Sequence, residues 1–282
     1  MKNELLPITA IILTYNEEIH IQRCIDSISN LVERIIVVDS NSTDRTAAIA
    51  ENIGAEVYFR KFVNQADQLQ WALDELEFGT EWILRLDADE YLTEDLKREL
   101  REGLPGISSN ITGVKFRRRV IFLNQWIRFG GIYPVILLRL WRKDCANVEQ
   151  REMDEHMVLT SGISIQLKHD FIDHNLNGID SWIDKHNKYS SRELSVILKN
   201  AELTNEKPIN IDEKVIRKRD MYEKMPLFFR CFAYFIFRYF LMLGFLDGKP
   251  GLAWHFLQGF WYRFLVDTKL YEKNIQIHAG KK

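Results

Sequence analysis

Short apolar runs alternate with amphipathic segments through the first hundred residues of the chain. The apolar runs contain many β-branched residues, which is typical of strands buried in a parallel sheet. The segments between them carry apolar side chains at roughly helical spacing. The predicted strands are residues 8–14, 34–39, 56–59 and 82–86, and the predicted helices are residues 16–30, 42–52 and 64–76. This alternation predicts an α/β protein with a doubly wound, mostly parallel sheet.

The pattern changes after about residue 103. Two further strands are predicted at residues 113–122 and 135–141, and a strongly charged helical segment is predicted at 180–224. Three regions therefore follow from the sequence. They are an α/β domain over residues 1–178, a charged helical segment over 179–224 and an aromatic-rich helical tail over 225–282.

Polar and acidic residues follow three of the predicted strands. The three groups are residues 14–18, 39–44 and 87–90. In sheets of this kind, ligands bind at the carboxyl ends of the strands. Asp87 and Asp89 stand two residues apart, and such a pair can share one hard cation that keeps phosphate oxygens in its shell. The alternative is a solvated turn in which Glu90 caps the next helix.

The first two groups lack the glycine-rich signatures of common phosphate-binding loops. Neither GxGxxG nor GxxxxGK[ST] occurs in the sequence, so neither Rossmann dinucleotide binding nor a P-loop is supported. The polar residues 14–18 and Asp39 are instead suited to contact a base or a ribose. The alternative for Asn16 is N-capping of the following helix, and Ser42 or Thr43 is predicted to cap the next helix.

Composition and charge narrow the class of protein. The chain has 38 Lys and Arg residues against 40 Asp and Glu residues, and this formal net charge of −2 argues against a nucleic-acid binder. The three cysteines stand far apart, so neither a zinc site nor a disulfide framework is expected. Residues 1–18 do not have the pattern of a signal peptide. We therefore expect a protein on the cytosolic side of the membrane.

The chain resembles the family 2 glycosyltransferases of the GT-A fold in three strand-end motifs, LTYNEE, VVDSNSTDRT and DADE. The resemblance continues downstream in WIRFGGIYP at 126–134, LRL at 138–140, MDEH at 153–156 and DGKPG at 247–251. Within the family, the pattern is similar to the branch that contains bacterial lipopolysaccharide-core β-glucosyltransferases. The resemblance implies a GT-A domain. The aromatic-rich sequence that follows it predicts a membrane-associating helical hairpin, with packing of this hairpin on the catalytic domain or on a second subunit as the alternative.

The resemblance assigns roles to the strand-end residues. The implied nucleotide contacts are Thr14, Asn16, Glu17, Asp39 and Gln68, the last of which borders the base. Asp87 is implied to face the ribose and the donor sugar, and Asp89 to hold Mg²⁺ or Mn²⁺ on the diphosphate. A cation or cationic clamp is also expected on chemical grounds, because a nucleoside diphosphate leaves poorly until its developing charge is neutralised.

Inverting sugar transfer needs a carboxylate that takes the proton from the acceptor hydroxyl. The family often has His-Glu where this chain has Asp154, Glu155 and His156, so either acid is a candidate and Glu155 is favoured. A solvated acidic loop is the alternative. Downstream, His174 is implied as a third metal ligand or a diphosphate contact, and His169 is its rival.

Basic and aromatic residues form two further candidate groups. Lys185, Tyr189 and Arg192 fall on one face of a predicted helix and are candidates for a cationic lid over the diphosphate. A solvated, salt-bridged face is the alternative. The candidate contacts to an anionic acceptor are Trp126, Arg128 and Arg139. For the arginines, exposed basic residues at strand edges are the alternative.

The aromatic residues are distributed unevenly. Of seven Trp, ten Tyr and seventeen Phe residues, sixteen lie within residues 226–271. Residues 226–246 are apolar apart from Arg230 and Arg238, which make spanning a bilayer costly. A helix that lies in the interface would bury its rings and hold both arginines at the headgroups. Five basic residues against two acidic residues within 217–230 favour an anionic leaflet.

The sequence and the resemblance together predict a metal-dependent, inverting glycosyltransferase. It would move a hexosyl group from a UDP-sugar, such as UDP-glucose, to a lipopolysaccharide-core, capsule or lipid-linked glycan acceptor. We expect a cytoplasmic protein that is peripherally bound to the inner face of the cell membrane, with packing of the tail in a homo-oligomer as the alternative.

Two rival functions are weighed against this prediction. The first is a sugar nucleotidyltransferase, which normally has a glycine-rich loop and a basic residue after its first strand. Residues 14–18 have neither. The second is a membrane-associated scaffold that has kept the fold without catalysis and would need no divalent cation.

Overall fold

The computed structural model describes residues 4–149, 156–202, 221–222 and 224–279. The chain divides into two compact units. The first consists of Met1–Trp126 and Tyr133–Leu176, and the second of Ile127–Ile132 and Asn177–Lys282. The short segment Ile127–Ile132 thus belongs to the second unit, although the chain on both sides of it belongs to the first. The domain boundaries drawn from the sequence stay predictions.

Within the described residues, the first unit is built on a nine-stranded mixed sheet. The strands of the unit are β1 Leu6–Thr14, β2 Val32–Asp39, β3 Glu56–Phe59, β4 Trp82–Asp87, β5 Glu90–Leu92, β6 Ile111–Phe122, β7 Gln125–Ile127, β8 Val135–Arg142, β9 Ala146–Val148, β10 Met157–Leu159 and β11 Ile163–Asp173. Their order in the sheet is β3, β2, β1, β4, β8, β6, β11, β5, and β7 pairs with β6. Strands β9 and β10 form a separate two-stranded sheet.

Strands β3, β2, β1 and β4 form the parallel half of the sheet. Every residue of β1 from Ile8 onwards is buried, because helices cover both faces, and this explains its continuous apolar sequence. The register places Thr14 opposite Asp39 and Leu13 opposite Asp87. The carboxyl ends of three neighbouring strands therefore bring the acidic motifs to one edge of the sheet.

The other half of the sheet is mixed. Strand β8 runs antiparallel to β4 and β6, whereas β11 runs parallel to β6 and antiparallel to β5. The predicted strands at 113–122 and 135–141 correspond to β6 and β8. Strand β11 was missed, because Lys168, His169 and Asp170 interrupt its apolar pattern at a register shift. The α/β fold class predicted from the sequence is confirmed.

Four helices pack on the sheet of the first unit. They are α1 Ile21–Ile28, α2 Thr46–Asn52, α3 Gln65–Glu75 and α4 Glu94–Gly103. Helix α1 buries four side chains at helical spacing, from Ile21 to Ile28, in one core cluster. Helix α3 buries Ala66, Leu69 and Ala72 in a second cluster. Fully burying each Ile or Leu side chain stabilises the folded state by about 1.5–3 kcal/mol relative to leaving it exposed.

The helix starts differ from the prediction in two places. Helix α1 begins at Ile21 rather than at Asn16, so Asn16 is not its N-cap. Helix α2 begins at Thr46, whose N–H donates to Asp44 Oδ1 at 2.9 Å. The prediction that Ser42 or Thr43 caps α2 is therefore wrong, because the Ser42 hydroxyl donates to Asp39 instead.

The second unit is helical in its described residues outside Ile127–Ile132. Its helices are α5 Ile179–Glu202, α6 Phe229–Ile236, α7 Gly248–Trp254 and α8 Tyr262–Ala279, with π-helical segments at Phe237–Leu241 and His255–Trp261 and a 3₁₀ turn at Gly244–Asp247. Polar contacts join α5 to α8. The Tyr262 hydroxyl donates to Glu193 Oε2 at 2.5 Å, and Lys269 Nζ donates to Asn187 Oδ1 at 2.8 Å.

The two arginines of the tail do not both face outward as predicted. Arg230 is buried, and its Nε donates to the buried Asp267 Oδ1 at 2.9 Å. The prediction that Arg230 lies at the headgroups is therefore wrong, because a carboxylate partner lies inside the unit. The basic residues 217–219 lie outside the described part of the chain.

No single helix in the described part of the chain is both long and apolar enough to cross a bilayer. Phe229–Leu241 and Gly244–Ile277 reach the required length and hydropathy only as a pair, and the pair is bent by 71°.

Candidate active site

Asp39 ties together the ends of the first two strands. Its carboxylate is fully buried and accepts the Thr14 hydroxyl at 2.9 Å, the Ser42 hydroxyl at 2.6 Å and the Ser42 N–H at 2.7 Å. These donors satisfy a charge that would otherwise be costly to bury. Thr14 and Asp39, both predicted nucleotide contacts, are therefore brought into direct contact.

Asn16 links the two loops that follow β1 and β2. It has a left-handed backbone with φ of 54°, a conformation that Asn tolerates better than most residues. Its N–H donates to Ser42 Oγ at 2.8 Å, and its Oδ1 accepts the Thr43 N–H at 2.8 Å. The loop after β1 is thus shaped by long-range contacts rather than by the helix that follows it.

Glu17 is held by a buried histidine that the sequence did not single out. The Glu17 N–H donates to Thr46 Oγ1 at 2.7 Å, and its carboxylate lies 2.5 Å from His20 Nδ1. The other ring nitrogen of His20 accepts the Leu176 N–H at 2.7 Å, so the ring proton lies on Nδ1. The available signal was an acid three residues before a histidine at the start of an apolar helix face.

Gln68 lies beneath the carboxyl end of β2. Its side chain is buried, and Nε2 donates to the Val38 carbonyl at 2.7 Å. Gln68 therefore contacts β2 at the residue that precedes Asp39. A residue that borders the base is expected to lie near this strand end. Its role in binding stays a prediction.

The acidic group after β4 is built around a buried ion pair. Glu90 and Arg139 are in contact, and both are buried. The Asp87 N–H donates to Glu90 Oε2 at 2.9 Å, and Arg139 Nη2 lies 3.6 Å from Asp87 Oδ2. The alternative in which Glu90 caps α4 is wrong, since Thr93 caps that helix by accepting the Leu96 N–H.

The position of Arg139 changes the interpretation of this residue. The sequence placed it among the acceptor contacts, with an exposed strand edge as the alternative. The structure places it away from solvent, beneath the acidic group, with its guanidinium carbon 5.2 Å from the centroid of the Phe171 ring. It is therefore not an exposed edge residue, and a direct contact with an acceptor is not supported.

The carboxylates shape the protonation of their neighbours. Burial raises the pKa of Glu90, whereas the positive charge of Arg139 opposes this shift. Burial, together with the charges of Glu90 and Asp89, also raises the pKa of Cys24 well above its ordinary value. Cys24 is thus an inert, protonated core thiol rather than a nucleophile.

The loop after β11 closes onto Asp89. Asn175 Nδ2 donates to Asp89 Oδ2 at 2.9 Å, and the His174 N–H donates to the Asp89 carbonyl at 3.1 Å. Arg23 Nη2 donates to the His174 carbonyl at 2.5 Å and to the Asp89 carbonyl at 3.3 Å. The predicted metal ligands Asp89 and His174 are therefore neighbours, and Arg23 and Asn175 are contacts that the sequence did not reveal.

Asp89 and His174 are the candidate ligands for a divalent cation of the Mg²⁺ or Mn²⁺ type, and His174 Nδ1 lies 3.3 Å from Arg23 Nη1. Burial lowers the pKa of His174, and the positive charge of Arg23 adds to the shift, so the ring is neutral near pH 7, as a metal ligand must be. Among the described residues, no group of three or more His, Cys, Asp or Glu side chains forms a ready-made cage. A cation held by one or two carboxylates and substrate phosphates needs no such cage.

The candidate acceptor contacts Trp126 and Arg128 belong to different units. In the first unit, the Trp126 ring lies 5.0 Å from the Tyr133 ring, centroid to centroid, and 4.2 Å from the guanidinium carbon of Arg119. In the second unit, the Arg128 N–H donates to Asp247 Oδ2 at 3.0 Å. Their contact with an acceptor stays a prediction.

Lys185, Tyr189 and Arg192 share one face of α5, as predicted. Lys185 Nζ lies 5.8 Å from the centroid of the Tyr189 ring, and the Arg192 guanidinium carbon lies 5.7 Å from it. These are cation–π distances that hold the two cations beside one ring. All three residues belong to the second unit, and their role as a lid stays a prediction.

The two candidates for the catalytic base, Asp154 and Glu155, lie outside the described residues. His169, the rival of His174, lies away from the acidic group, because its Nδ1 is 2.8 Å from Glu99 Oε2 on α4. His174 therefore remains the candidate histidine of the site.

The sheet order and the acidic strand ends place the first unit in the GT-A class of α/β folds. Residues 9–162 match the model of the family described as glycosyl transferase family 2. This match covers more than half of the chain. The protein belongs to glycosyl transferase family 2, which confirms the family that the sequence resembles.

Two relatives illustrate the similarity. An uncharacterised glycosyltransferase of Rickettsia bellii is 42% identical over 93 residues, which cover 33% of this chain and 31% of the relative. The chain thus spans about a third of the length of the rickettsial relatives that it matches. The lipopolysaccharide core biosynthesis glycosyltransferase LpsC of Rhizobium meliloti is 26% identical over 283 residues, which cover 95% of this chain and 93% of LpsC.

A solved structure is also similar in part. Glucosyl-3-phosphoglycerate synthase from Mycobacterium tuberculosis, in complex with Mn²⁺, UDP and glucosyl-3-phosphoglycerate, is 28% identical and has a TM-score of 0.35. The match covers 40% of this chain and 44% of that chain. At this TM-score, the likeness carries no conclusion about this chain.

Proposed function

We propose that the protein transfers a hexosyl group from a UDP-sugar to a lipopolysaccharide-core glycan or a related envelope acceptor. The observation that carries the proposal is the placement of Asp39 and Asp87 at the carboxyl ends of β2 and β4, the two strands that flank β1. The family supplies the class of reaction. The similarity to LpsC over nearly the whole chain supports the class of acceptor.

In the proposed reaction, the acceptor oxygen forms a bond to the anomeric carbon while the bond from that carbon to the diphosphate oxygen breaks. Attack from the face opposite the diphosphate inverts the anomeric configuration. Asp154 or Glu155 takes the proton of the acceptor hydroxyl, and UDP leaves with the electron pair of the broken bond.

The residues around the strand ends hold the donor. Asp39, Asn16 and Glu17 orient the nucleotide from two loops that are already tied together. Asp89 and His174 would hold Mg²⁺ or Mn²⁺, which supplies electrostatic stabilisation of the developing diphosphate charge when it is bound. Asp87 would face the ribose and the donor sugar. The proposal places the reaction at the cytoplasmic face of the membrane, and the exposed apolar side chains of the tail support contact with a membrane.

The proposal is tested with UDP-hexoses in the presence of Mn²⁺, Mg²⁺ or a chelator. We expect a rise in melting temperature and slow release of UDP that both require the cation. Asp89→Asn should abolish the cation-dependent rise, because an amide is a poor ligand for a hard cation. The control is Asp95→Asn, the same change at a surface acid paired with Arg98 on α4, which should leave the rise intact.

Each outcome of this test has a definite meaning. If no nucleotide sugar raises the melting temperature with either cation, the protein is a scaffold and the proposal is wrong. Pyrophosphate release from a nucleoside triphosphate and a sugar 1-phosphate would indicate a sugar nucleotidyltransferase. Turnover near the wild-type rate in both Asp154→Asn and Glu155→Gln would remove the proposed base.

A further inference from the structure

The apolar surface of the second unit is concentrated in residues 229–261, termed here the apolar hairpin. Helix α6 and the π-helical segment Phe237–Leu241 lead into a turn, and the chain returns through α7 and the π-helical segment His255–Trp261. The structure describes all of these residues, and Lys249 is their one exposed charged side chain. The other exposed side chains of the hairpin are large and apolar.

The tip of the apolar hairpin is exposed on consecutive residues. Phe240, Leu241, Met242 and Leu243 are 50%, 70%, 42% and 46% exposed, and Leu246 is 52% exposed. An amphipathic helix that packs on another protein shows a single apolar stripe. Four successive exposed apolar side chains point in several directions. Lipid hydrocarbon can surround all of them, whereas a flat protein surface can cover only one side.

Two charged side chains of the apolar hairpin, those of Asp247 and Arg238, have partners within the second unit. Asp247 is buried, and its Oδ2 accepts the N–H groups of Arg128 at 3.0 Å and Phe129 at 2.8 Å. Arg238 donates to the Gly130 carbonyl and, at 2.5 Å, to the Tyr234 hydroxyl. An unpaired charge is costly in hydrocarbon, so the internal pairing of these two charged side chains favours a membrane-embedded segment.

The dimensions of the apolar hairpin favour entry into one leaflet. Phe229–Leu241 rises only about 20 Å at ~1.5 Å per residue, less than the ~30 Å of the hydrocarbon core. It meets Gly244–Ile277 at a bend of 71°, so the two segments do not form one continuous straight span. Lys249 follows the turn, and a lysine there can extend its ammonium to headgroup phosphates.

We propose that the apolar hairpin inserts into the hydrocarbon of one leaflet and anchors the protein as a monotopic membrane protein. The partner is a lipid bilayer with anionic headgroups. This anchoring goes beyond the proposed sugar transfer and depends on no catalytic residue. It also differs from adsorption of a basic surface, because the energy comes from burying apolar side chains.

The experiment is flotation of the full-length protein with vesicles of phosphatidylcholine and phosphatidylglycerol. We expect the wild type to float, and to stay bound in about 0.5 M NaCl, since salt screens charge but not apolar burial. The variant Leu241→Asp/Leu246→Asp should lower the ratio of bound to unbound protein at least about tenfold, because a carboxylate in hydrocarbon is costly. The control is Ile163→Asp, at an exposed apolar position of β11 in the first unit, which should float as the wild type does.

Three outcomes would overturn the proposal. The first is a wild type that does not float, or floats only at low salt, as surface adsorption predicts. The second is unchanged flotation of the tip variant, provided that its near-UV circular dichroism and melting temperature show a folded protein. The third is a lipid-free wild-type dimer that the tip variant converts to monomer without any change in flotation, which would make a second copy the partner of this surface.

Discussion

His20 is the residue whose position was least expected from the sequence. Its fully buried ring joins Glu17 on the loop after β1 to the Leu176 N–H on the loop after β11. The same second loop reaches Asp89 through Asn175. His20 therefore positions Glu17, a predicted nucleotide contact, and the loop that contacts Asp89, a predicted metal ligand. It is not itself a predicted contact of the nucleotide or of the cation.

Replacing His20 with Phe should weaken UDP binding about tenfold, a loss of ~1.4 kcal/mol, because Glu17 loses the partner that orients it. Stability should fall by about 1–3 kcal/mol, the cost of leaving the Leu176 N–H without an acceptor. UDP affinity by calorimetry, at a temperature where the variant is fully folded, separates the two effects.

The matched control for this experiment is His169→Phe. His169 is exposed and pairs with Glu99, outside the site. UDP affinity should be unchanged in this variant. Equal affinity of the His20 variant and the wild type would show that His20 serves packing alone.

Arg139 is the buried charge on which the acidic strand end depends. We expect Arg139→Met to lose about 3–5 kcal/mol of unfolding free energy, because Glu90 would be left buried without its charge partner. Adding Glu90→Gln to this variant should recover part of the loss, since the remaining group is then neutral. Urea denaturation measures both values.

The comparison for Arg139 is Arg34→Met, which breaks the partly exposed pair of Arg34 and Glu56. Such surface pairs contribute about 0–1 kcal/mol. Similar losses for the two arginine variants would contradict the buried-pair interpretation.

At the scale of elements, the strands β1, β2 and β4 were predictable because both of their faces are covered. A strand buried on both sides is apolar at almost every position, and that signal is strong in a single sequence. Strand β11 carries exposed and charged positions, and strands β9 and β10 have only three residues each. Such short or mixed patterns do not separate a strand from a loop.

The segment Ile127–Ile132 packs closely against the described helices of the second unit. Gly130 has a φ of 68°, and a Cβ at this position would overlap the His255 ring. Gly130→Ala should therefore lose about 1–2 kcal/mol for the left-handed backbone and a further ~1–3 kcal/mol for overpacking. Thermal unfolding of the full-length protein measures the loss.

Gly248→Ala isolates the backbone contribution. Gly248 has a φ of 63°, and a Cβ there would meet no atom within 4 Å. With ψ of −146°, Gly248 is close to the backbone region that is essentially restricted to glycine, so this variant should lose only the backbone cost of about 1–3 kcal/mol. If the two glycine variants lose the same amount, the predicted overlap with His255 is absent.

At the scale of the whole molecule, the two units are expected to bind different partners: a nucleotide sugar in the first unit and lipid in the second. UDP with its cation at a hundredfold excess over Kd should stabilise the protein by about 2.7 kcal/mol, which raises the melting temperature by roughly 5–11 °C for a domain of this size. Lipid should act on the apolar hairpin instead. The net charge of −2 is an average over the whole chain. It does not reveal the apolar hairpin, a described region with almost no exposed charge.

The sequence by itself determined the parallel half of the sheet, the acidic groups at its strand ends and the family. These depend on local patterns, since buried strands are continuously apolar and the motifs follow them directly. Only the tertiary structure decided which polar side chains turn inward. His20 meets Leu176, Arg139 meets Glu90, and Asp247 meets the N–H groups of Arg128 and Phe129. Each of these contacts joins residues far apart in the chain, where spacing carries no signal, because burial of a polar group depends on a partner that folding brings to it.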